Sequence, residues 1–170
     1  MLGFLFRGLT AAAARGAALF DGVTREARRP GWYVDAGVPD TLDGRFAVLA
    51  TITALAMVRL EQLGDEGQTL SVALTERFIE VMETEHRELG LGDPTLGKTV
   101  RKLVGSLSRR TDLARARVTG EQDWRGFAGQ ALYKSDPDPA SVEAAAAALE
   151  QTWARLARSD AASLAEGRIQ

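Results

Sequence analysis

The stretch that decides the fold is Phe46-Ala-Val-Leu-Ala-Thr-Ile-Thr-Ala-Leu-Ala-Met-Val58, thirteen uncharged residues between two arginines. A bilayer-spanning helix needs about 20 residues, so this stretch does not cross a membrane. Its middle is apolar on every side, which is typical of a helix at the centre of a bundle. We expect that helix over 41–63, capped by Asp40 or Thr41. Its apolar residues recur every three or four positions: Leu42, Phe46, Leu49, Ile52, Thr53, Ala56, Leu60 and Leu63.

Helices are also expected on both sides of the central one, because apolar alternation at every second residue never persists. Upstream, a helix over about 9–28 should end before Pro30, and an ordered loop should follow to Pro39. The downstream pattern predicts these elements in order: a turn at 64–67, helices at 68–89 and 94–118, a segment with a short helix at 119–130, a hinge at 135–139 and a last helix at 140–165. The expected fold is an all-α, single-domain bundle of about five to seven helices.

Composition narrows the classes of function. With 170 residues, 45% hydrophobic and 26% charged, the chain fits one soluble globular domain. The absence of cysteine excludes disulfides, thiolate metal sites and cysteine nucleophiles, and it is compatible with a reducing compartment. The net charge of −2 gives no global attraction to nucleic acid. A single histidine, His86, limits any mechanism that needs imidazole.

Residues 1–17 are expected to form a distinct N-terminal segment ahead of a helical domain over 18–170. An arginine interrupts the apolar run at position 7, and no secretory cleavage pattern follows. The segment faintly resembles an organelle transit peptide, although a plain first helix explains it better. Its large apolar residues could enter a membrane surface or pack on the bundle: Leu2, Phe4, Leu5, Phe6 and Leu9.

Two charged features occur on the third and fourth helices. At about 100° per residue, Glu85 and Glu88 fall on the apolar stripe of the third helix, which comprises Leu70, Leu74, Phe78, Val81, Met82 and Leu89. Buried acids need partners, for which Arg45 and Lys98 are the candidates. The fourth helix has a basic outer side with a single acid, Asp112; its members are Lys98, Arg101, Lys102, Arg109, Arg110, Arg115 and Arg117.

This basic side could meet anionic lipid, RNA or an acidic partner, or be merely solvated. Among its members, Arg101, Lys102 and Arg110 are the expected contacts with a membrane or an acidic partner. Few aromatic residues interleave with these charges, which argues against stacking on single-stranded nucleic acid. No nucleic-acid sequence recognition is expected.

Two short motifs suggest chemistry that their context does not support. Gly92-Asp93-Pro94-Thr95-Leu96-Gly97-Lys98-Thr99 satisfies the phosphate-loop pattern, but that loop needs a preceding strand, and a charged helix end stands there instead. A left-handed Gly90 or Gly92 ending one helix and Asp93 capping the next explain the same residues. Glu83-x-x-His86 would need a second such unit to bind two metals. We therefore expect no catalytic residue, metal or cofactor, and nucleotide binding remains a minor alternative.

Two blocks of sequence resemble the ubiquinol–cytochrome c chaperone family. The first comprises Ala27-Arg-Arg-Pro-Gly-Trp-Tyr33 and Gly37-Val-Pro-Asp-Thr-Leu-Asp-Gly-Arg-Phe46, and the second runs from Arg87 to Lys98. Their order and separation also agree with the family, and the likeness covers roughly residues 18–118. The chain departs from the family pattern at Val81 and at 106–108, ahead of Arg109.

The resemblance implies a non-enzymatic chaperone that binds newly made cytochrome b and assists its entry into the cytochrome bc1 complex. The matched positions expected to contact the client are Pro39, Asp40, Thr41, Asp43, Arg45, Arg87, Glu88, Lys98 and Arg109. The matched positions expected to form turns and caps are Gly44, Gly90, Gly92, Asp93 and Gly97. The segments 38–46 and 87–98 should then lie side by side.

Further partners and rival functions follow from the same reasoning. An anionic membrane surface, a small helper protein or a second copy of the chain could bind. The expected location is the cytoplasm, peripheral at a bacterial inner membrane, or the matrix side in a mitochondrion. The rival hypothesis is that the chain is an unrelated helical interaction module, such as a dimer formed through the apolar central helix.

Overall fold

The fold is all-α, as expected. In this computed structural model the backbone is described for residues 2–90 and 92–170, and the side chains for 14–90, 92 and 95–170. Helices hold 79% of the chain, and no strand occurs in the described residues. The described helices are α1 (Leu2–Ala27), α2 (Gly31–Val34), α3 (Leu42–Glu61), α4 (Gly64–Glu88), α5 (Asp93–Val118), α6 (Trp124–Leu132), α7 (Pro139–Arg158) and α8 (Ala161–Ala165). These eight exceed the expected five to seven because α2 and α8 are only about one turn long.

Helix α3 is the centre of the bundle, which confirms the interpretation of the apolar stretch. Every residue from Ala50 to Ala56 is buried, and α3 packs against α1, α4, α5, α6 and α7. The Thr41 hydroxyl oxygen accepts a hydrogen bond from the Gly44 N–H at 3.2 Å, which makes Thr41 the cap. The apolar middle of α3, over which a dimer was considered, is covered by the chain's own helices.

The expected turn at 64–67 is wrong. Gly64 adopts a positive φ of 65°, and α4 begins there directly after α3. The two helices approach so closely that a β-carbon on Gly67 would overlap the carbonyl oxygen of Leu60. One glycine at the reversal therefore completes the turn, and the others belong to the helix.

The expected last helix over 140–165 is interrupted. Helix α7 ends at Arg158, and Asp160 caps α8, with its carboxylate accepting a hydrogen bond from the Ser163 N–H at 2.8 Å. After α8, the chain crosses α1, where Arg25 donates a hydrogen bond to the Gly167 carbonyl at 2.7 Å. The break allows the end of the chain to pack on α1.

The end of α1 is closed by side chains of α2, in a segment expected to be only a loop. The Trp32 indole N–H donates to the Glu26 carbonyl at 2.9 Å, and the Tyr33 hydroxyl donates to the Ala27 carbonyl at 3.0 Å. The last carbonyls of a helix have no partner within the helix, so these two bonds satisfy them. The block from Ala27 to Tyr33 is thus a structural corner.

Helix α1 runs without interruption across the expected boundary between residues 17 and 18. The expected membrane contacts Leu2, Phe4, Leu5, Phe6 and Leu9 concern side chains outside the described residues. Across the described helices, none is both long enough and apolar enough to cross a bilayer.

Candidate functional site

A groove with a volume of about 1260 Å³ opens on one side of the bundle. Its walls are the second half of α1 with α2, the start of α3, and the last three turns of α4; Leu103 of α5 lines it as well. The groove brings residues 40–46 and 85–89 to one site, although these stretches are far apart in the sequence.

The groove is lined by unusually exposed apolar side chains. Val34 is 77% exposed, Leu42 72% and Leu89 63%. All three lie on the groove, and behind them the half-buried Phe46 and Val81 pack on the core. Exposed apolar residues that cluster in one concavity are typical of a binding surface, whereas scattered ones are not.

The start of α3 forms a tight polar corner on the groove rim. Arg45 donates to the Asp40 carboxylate at 2.6 Å, and Lys134 of the segment after α6 donates to Asp43 at 2.6 Å. These bonds lower the pKa of both exposed carboxyls, through Arg45 for Asp40 and through Lys134 for Asp43. A β-carbon on Gly44 would overlap the carbonyl oxygen of Pro39. The corner therefore depends on this glycine, which lies inside the first turn of α3.

This corner is also attached to the far side of the bundle. The Tyr133 hydroxyl donates to the Ala36 carbonyl at 2.5 Å and contacts the Ser141 carbonyl at 3.2 Å. Burial raises the pKa of Tyr133 to about 12, so the hydroxyl stays protonated and remains a donor at neutral pH. The rim thus has a fixed position relative to α7.

The expected burial of Glu85 and Glu88 is wrong. Both are exposed, and neither forms an ion pair with a described side chain. Their expected partners are engaged elsewhere or solvated, since Arg45 binds Asp40 and Lys98 is exposed. The two acids do project toward the bundle side of α4, but the groove lies there in place of a neighbouring helix. They give that wall unpaired negative charge.

Arg110 is not a surface contact, which corrects another expectation. It is 7% exposed, and its guanidinium donates to the Ala131 carbonyl at 3.0 Å and to the Ser106 carbonyl at 3.2 Å. It also lies 5.8 Å from the centre of the Phe46 ring. Burial, with the charge of Arg109, lowers the pKa of Arg110 to about 10, so the group is still charged at neutral pH. Arg110 therefore binds a carbonyl at the C-terminal end of α6 and is not available to contact a membrane.

Two further arginines of the expected basic side have structural roles. Arg115 donates to both carboxylate oxygens of Glu61, at 2.7 and 3.1 Å, and to Asp112 at 2.8 Å. Arg117 lies 4.6 Å from the centre of the Trp124 ring. The exposed basic residues left on α5 are Lys98, Arg101, Lys102 and Arg109.

The other residues predicted for the site lie at or near the ends of α4 and α5. Gly90 has a positive φ of 87° and ends α4, as expected, and Gly92 stands at the cap position of α5. The expected cap Asp93 is instead the first residue of α5, with its side chain outside the described residues. Gly97 is not a turn, because it lies inside α5 with room for a β-carbon. Arg87 is exposed and does not line the groove.

The phosphate-loop pattern lacks its structural context. Helix α4 extends to Glu88 just upstream, where a phosphate loop requires a strand. In the described part of the chain, no three histidine or acidic side chains are grouped closely enough to hold a metal ion. His86, the lone imidazole, lies 2.8 Å from the Met82 carbonyl on its own helix.

The sequence profile of the ubiquinol-cytochrome C chaperone family matches residues 34–170. The chain belongs to this family. A comparison with curated proteins gave no match. Among solved structures, the chain is similar to the Cbp3 homolog from Brucella abortus, with a TM-score of 0.79 and 24% identity over 100% of this chain and 96% of that one. At 24% identity, this similarity supports a shared fold and nothing more specific.

The ubiquinol-cytochrome C chaperone match includes both groove segments, 40–46 and 85–89. It extends to residue 170, beyond the end at about 118 suggested by the resemblance, and it begins after the corner at 27–33. Membership of the family therefore rests on α3 to α8.

Sequence reasoning missed the apolar lining of the groove in this chaperone-family chain. Leu42 and Leu89 occur at helical spacing with core residues and were expected to be buried. Leu42 is the first residue of α3 and Leu89 directly follows the last residue of α4, and both side chains are exposed. The terminal position was the available signal. Nothing in the sequence linked Lys134 to Asp43, since 91 positions separate them.

Proposed function

We propose that this chain is a non-enzymatic assembly chaperone for the cytochrome bc1 complex, and that its groove holds an apolar helical segment of newly made cytochrome b. Membership of the chaperone family supports the class of function. The observation that bears most on the site is the gathering of Val34, Leu42 and Leu89 in one groove.

The size of the groove suits a helix. An α-helix with its side chains is about 10–12 Å wide and rises 5.4 Å per turn. At that width, 1260 Å³ corresponds to about two to three turns. Seating an apolar helix there would remove the three exposed side chains from water, with a gain of about 25 cal/mol per Å² of apolar surface.

The charges on the rim indicate which helix would bind best. Glu85 and Glu88 are unpaired on the α4 wall, and Asp21 adds an exposed acid on the α1 wall. Arg28 adds an exposed base to the groove lining, whereas Arg45 is bound by Asp40. A segment with a lysine or arginine beside its apolar face would therefore be preferred over one with an acid.

The first test compares groove and non-groove positions in cells. The double variant Leu42→Glu, Leu89→Glu places charge on the apolar lining, and it should reduce the b-type haem absorbance of membranes to the level of a deletion strain. Val72→Glu is the matched control, because Val72 is also exposed, at 54%, but does not line the groove. All three positions are exposed, so thermal unfolding should be unchanged.

The second test locates the client directly. A photo-cross-linking residue in place of Val34 should capture cytochrome b, and the same residue in place of Val72 should not. Normal b-type haem in the deletion strain would contradict the function. Equal cross-linking from both positions would contradict the site but leave the function standing.

A further inference from the structure

The structure separates the basic residues of α5 into two groups. Arg110, Arg115 and Arg117 are occupied by the fold, through Ala131, Glu61 and Trp124. The other four are exposed and form no ion pair with any side chain the structure describes; we call them the basic stripe: Lys98, Arg101, Lys102 and Arg109.

The basic stripe forms a continuous face. At about 100° per residue its four members fall within a sector of about 100° on α5, and the buried Leu96 and Leu107 lie on the opposite side. From Lys98 to Arg109 it extends about 16 Å at 1.5 Å per residue. No acid occurs in α5 between Thr95 and Thr111, and the next acid, Asp112, forms its ion pair with Arg115.

The basic stripe borders the groove. Lys102 lies near the rim residue Asp43, because its charge contributes to the lowered pKa of Asp43 after the larger effect of Lys134. Leu103, on the inner side of α5, lines the groove itself. A surface that binds the stripe would therefore lie close to the groove opening.

We propose that the basic stripe docks the chain on a bilayer with anionic headgroups. Lysine and arginine near such a surface are attracted over about a Debye length, and each strengthens binding about five-fold. The chain's net charge of −2 gives no overall attraction, so the binding must be local to the stripe. RNA fits less well, because the stripe contains no aromatic side chain on which bases could stack.

The docking does not depend on the client, but its purpose rests on the proposed function. Cytochrome b would enter the groove from a membrane, and the stripe would hold the groove beside that membrane. The two proposals can therefore fail separately.

The test uses the full chain and vesicles of phosphatidylcholine with or without phosphatidylglycerol. The wild type should float with the anionic vesicles in about 0.1 M salt and dissociate in about 1 M salt, where the Debye length falls from about 10 Å to about 3 Å. The triple variant Lys98→Gln, Arg101→Gln, Lys102→Gln should bind about a hundred-fold more weakly. The control Arg125→Gln, Arg158→Gln, Arg168→Gln removes the same charge from α6, α7 and the C-terminal segment, and it should bind like the wild type.

Several results would overturn the docking proposal. One is an equal loss of vesicle binding in both triple variants, and another is flotation that does not depend on headgroup charge or salt. A third is that the stripe variant loses binding to single-stranded RNA while it still binds vesicles. In detergent, the stripe variant should still cross-link cytochrome b through position 34, whereas Leu42→Glu, Leu89→Glu should lose the client and keep the vesicles. If the stripe variant lost cytochrome b but still bound vesicles, the docking proposal would be wrong. The groove proposal would still stand.

Discussion

At the scale of single residues, Glu26 is the one buried acid among the described side chains. Its carboxylate is 2.5 Å from Arg155, 3.1 Å from Arg29 and 3.1 Å from the Thr152 hydroxyl. Burial raises the pKa of Glu26, but the hydrogen bond and charge of Arg155, with the charge of Arg29, bring it below the ordinary value of 4.5. The ion pair connects α1 to α7, so it helps to fix the corner that carries α2.

This lowered pKa predicts how stability depends on pH. An acid whose pKa is lower in the folded state than in the unfolded state stabilises the fold at pH values above its unfolded pKa. That stabilisation is lost as the pH falls through the pKa of the folded state. Glu26→Gln should therefore lower the free energy of unfolding by about 2 kcal/mol at pH 7. The difference from wild type should shrink below about pH 4.5. Urea unfolding across this pH range measures it, with the exposed Glu150→Gln as control; a difference that grows with acid would contradict the sign.

Arg109 and Arg110 are neighbours with opposite environments, and they should respond differently to substitution. Arg110→Ala removes a buried charged donor from the Ala131 and Ser106 carbonyls and should cost about 2–3 kcal/mol. Arg109 is exposed, with one bond to the Gln130 carbonyl at 3.2 Å, so Arg109→Ala should cost less than about 0.5 kcal/mol. Thermal unfolding of the two variants compares them. Equal losses of stability in the two variants would mean that the bond from Arg110 to the end of α6 does not stabilise the fold.

At the scale of elements, glycines mark where helices touch and where they are open. A β-carbon on Gly16 of α1 would lie 2.7 Å from the Ala73 carbonyl oxygen of α4, whereas one on Gly105 of α5 would meet nothing within 4 Å. Both are helical, so only the neighbourhood differs. Helix α1 and helix α4 therefore pack through small residues, and α5 presents an open outer face.

These two glycines give a matched pair of substitutions. Gly16→Ala must separate α1 from α4 and should destabilise the fold by about 1–3 kcal/mol. Gly105→Ala should stabilise it by about 0.5–1 kcal/mol, because alanine favours a helix and nothing obstructs it. Differential scanning calorimetry should show melting temperatures shifted in opposite directions. A loss at Gly105 would show that the outer face of α5 is covered.

At the scale of the whole molecule, the groove exists because helices of unequal length surround α3. The end of α4 at Glu85 to Glu88, with Leu89 after it, forms one wall of the groove, and α2 with the second half of α1 forms another. The prediction that 38–46 and 87–98 lie side by side holds only at the groove, where Glu88 and Leu89 share a lining with residues of 40–46. Most of 87–98 lies beyond the lining, so the client contacts expected at Arg87 and Lys98 remain predictions.

Local sequence signals predicted most of the helices and several of their ends. The apolar stretch 46–58 requires burial on all sides, Pro30 follows the end of α1, and Thr41 caps α3. The same reasoning failed where a terminus depended on a neighbour. Gly67 could have been a turn or a helix position, and only the approach of Leu60 decides which.

The sequence by itself determined the helical class, the central position of α3 and the family, because periodicity, caps and signature blocks are local properties of the chain. Only the tertiary structure decided which charges are available. Arg110 and Lys102 look alike in the sequence, yet one is buried under α6 and the other is exposed. Likewise, Leu42 and Leu89 are exposed although they continue core stripes. Exposure depends on what other elements cover a position, and helical spacing along one segment contains no information about that.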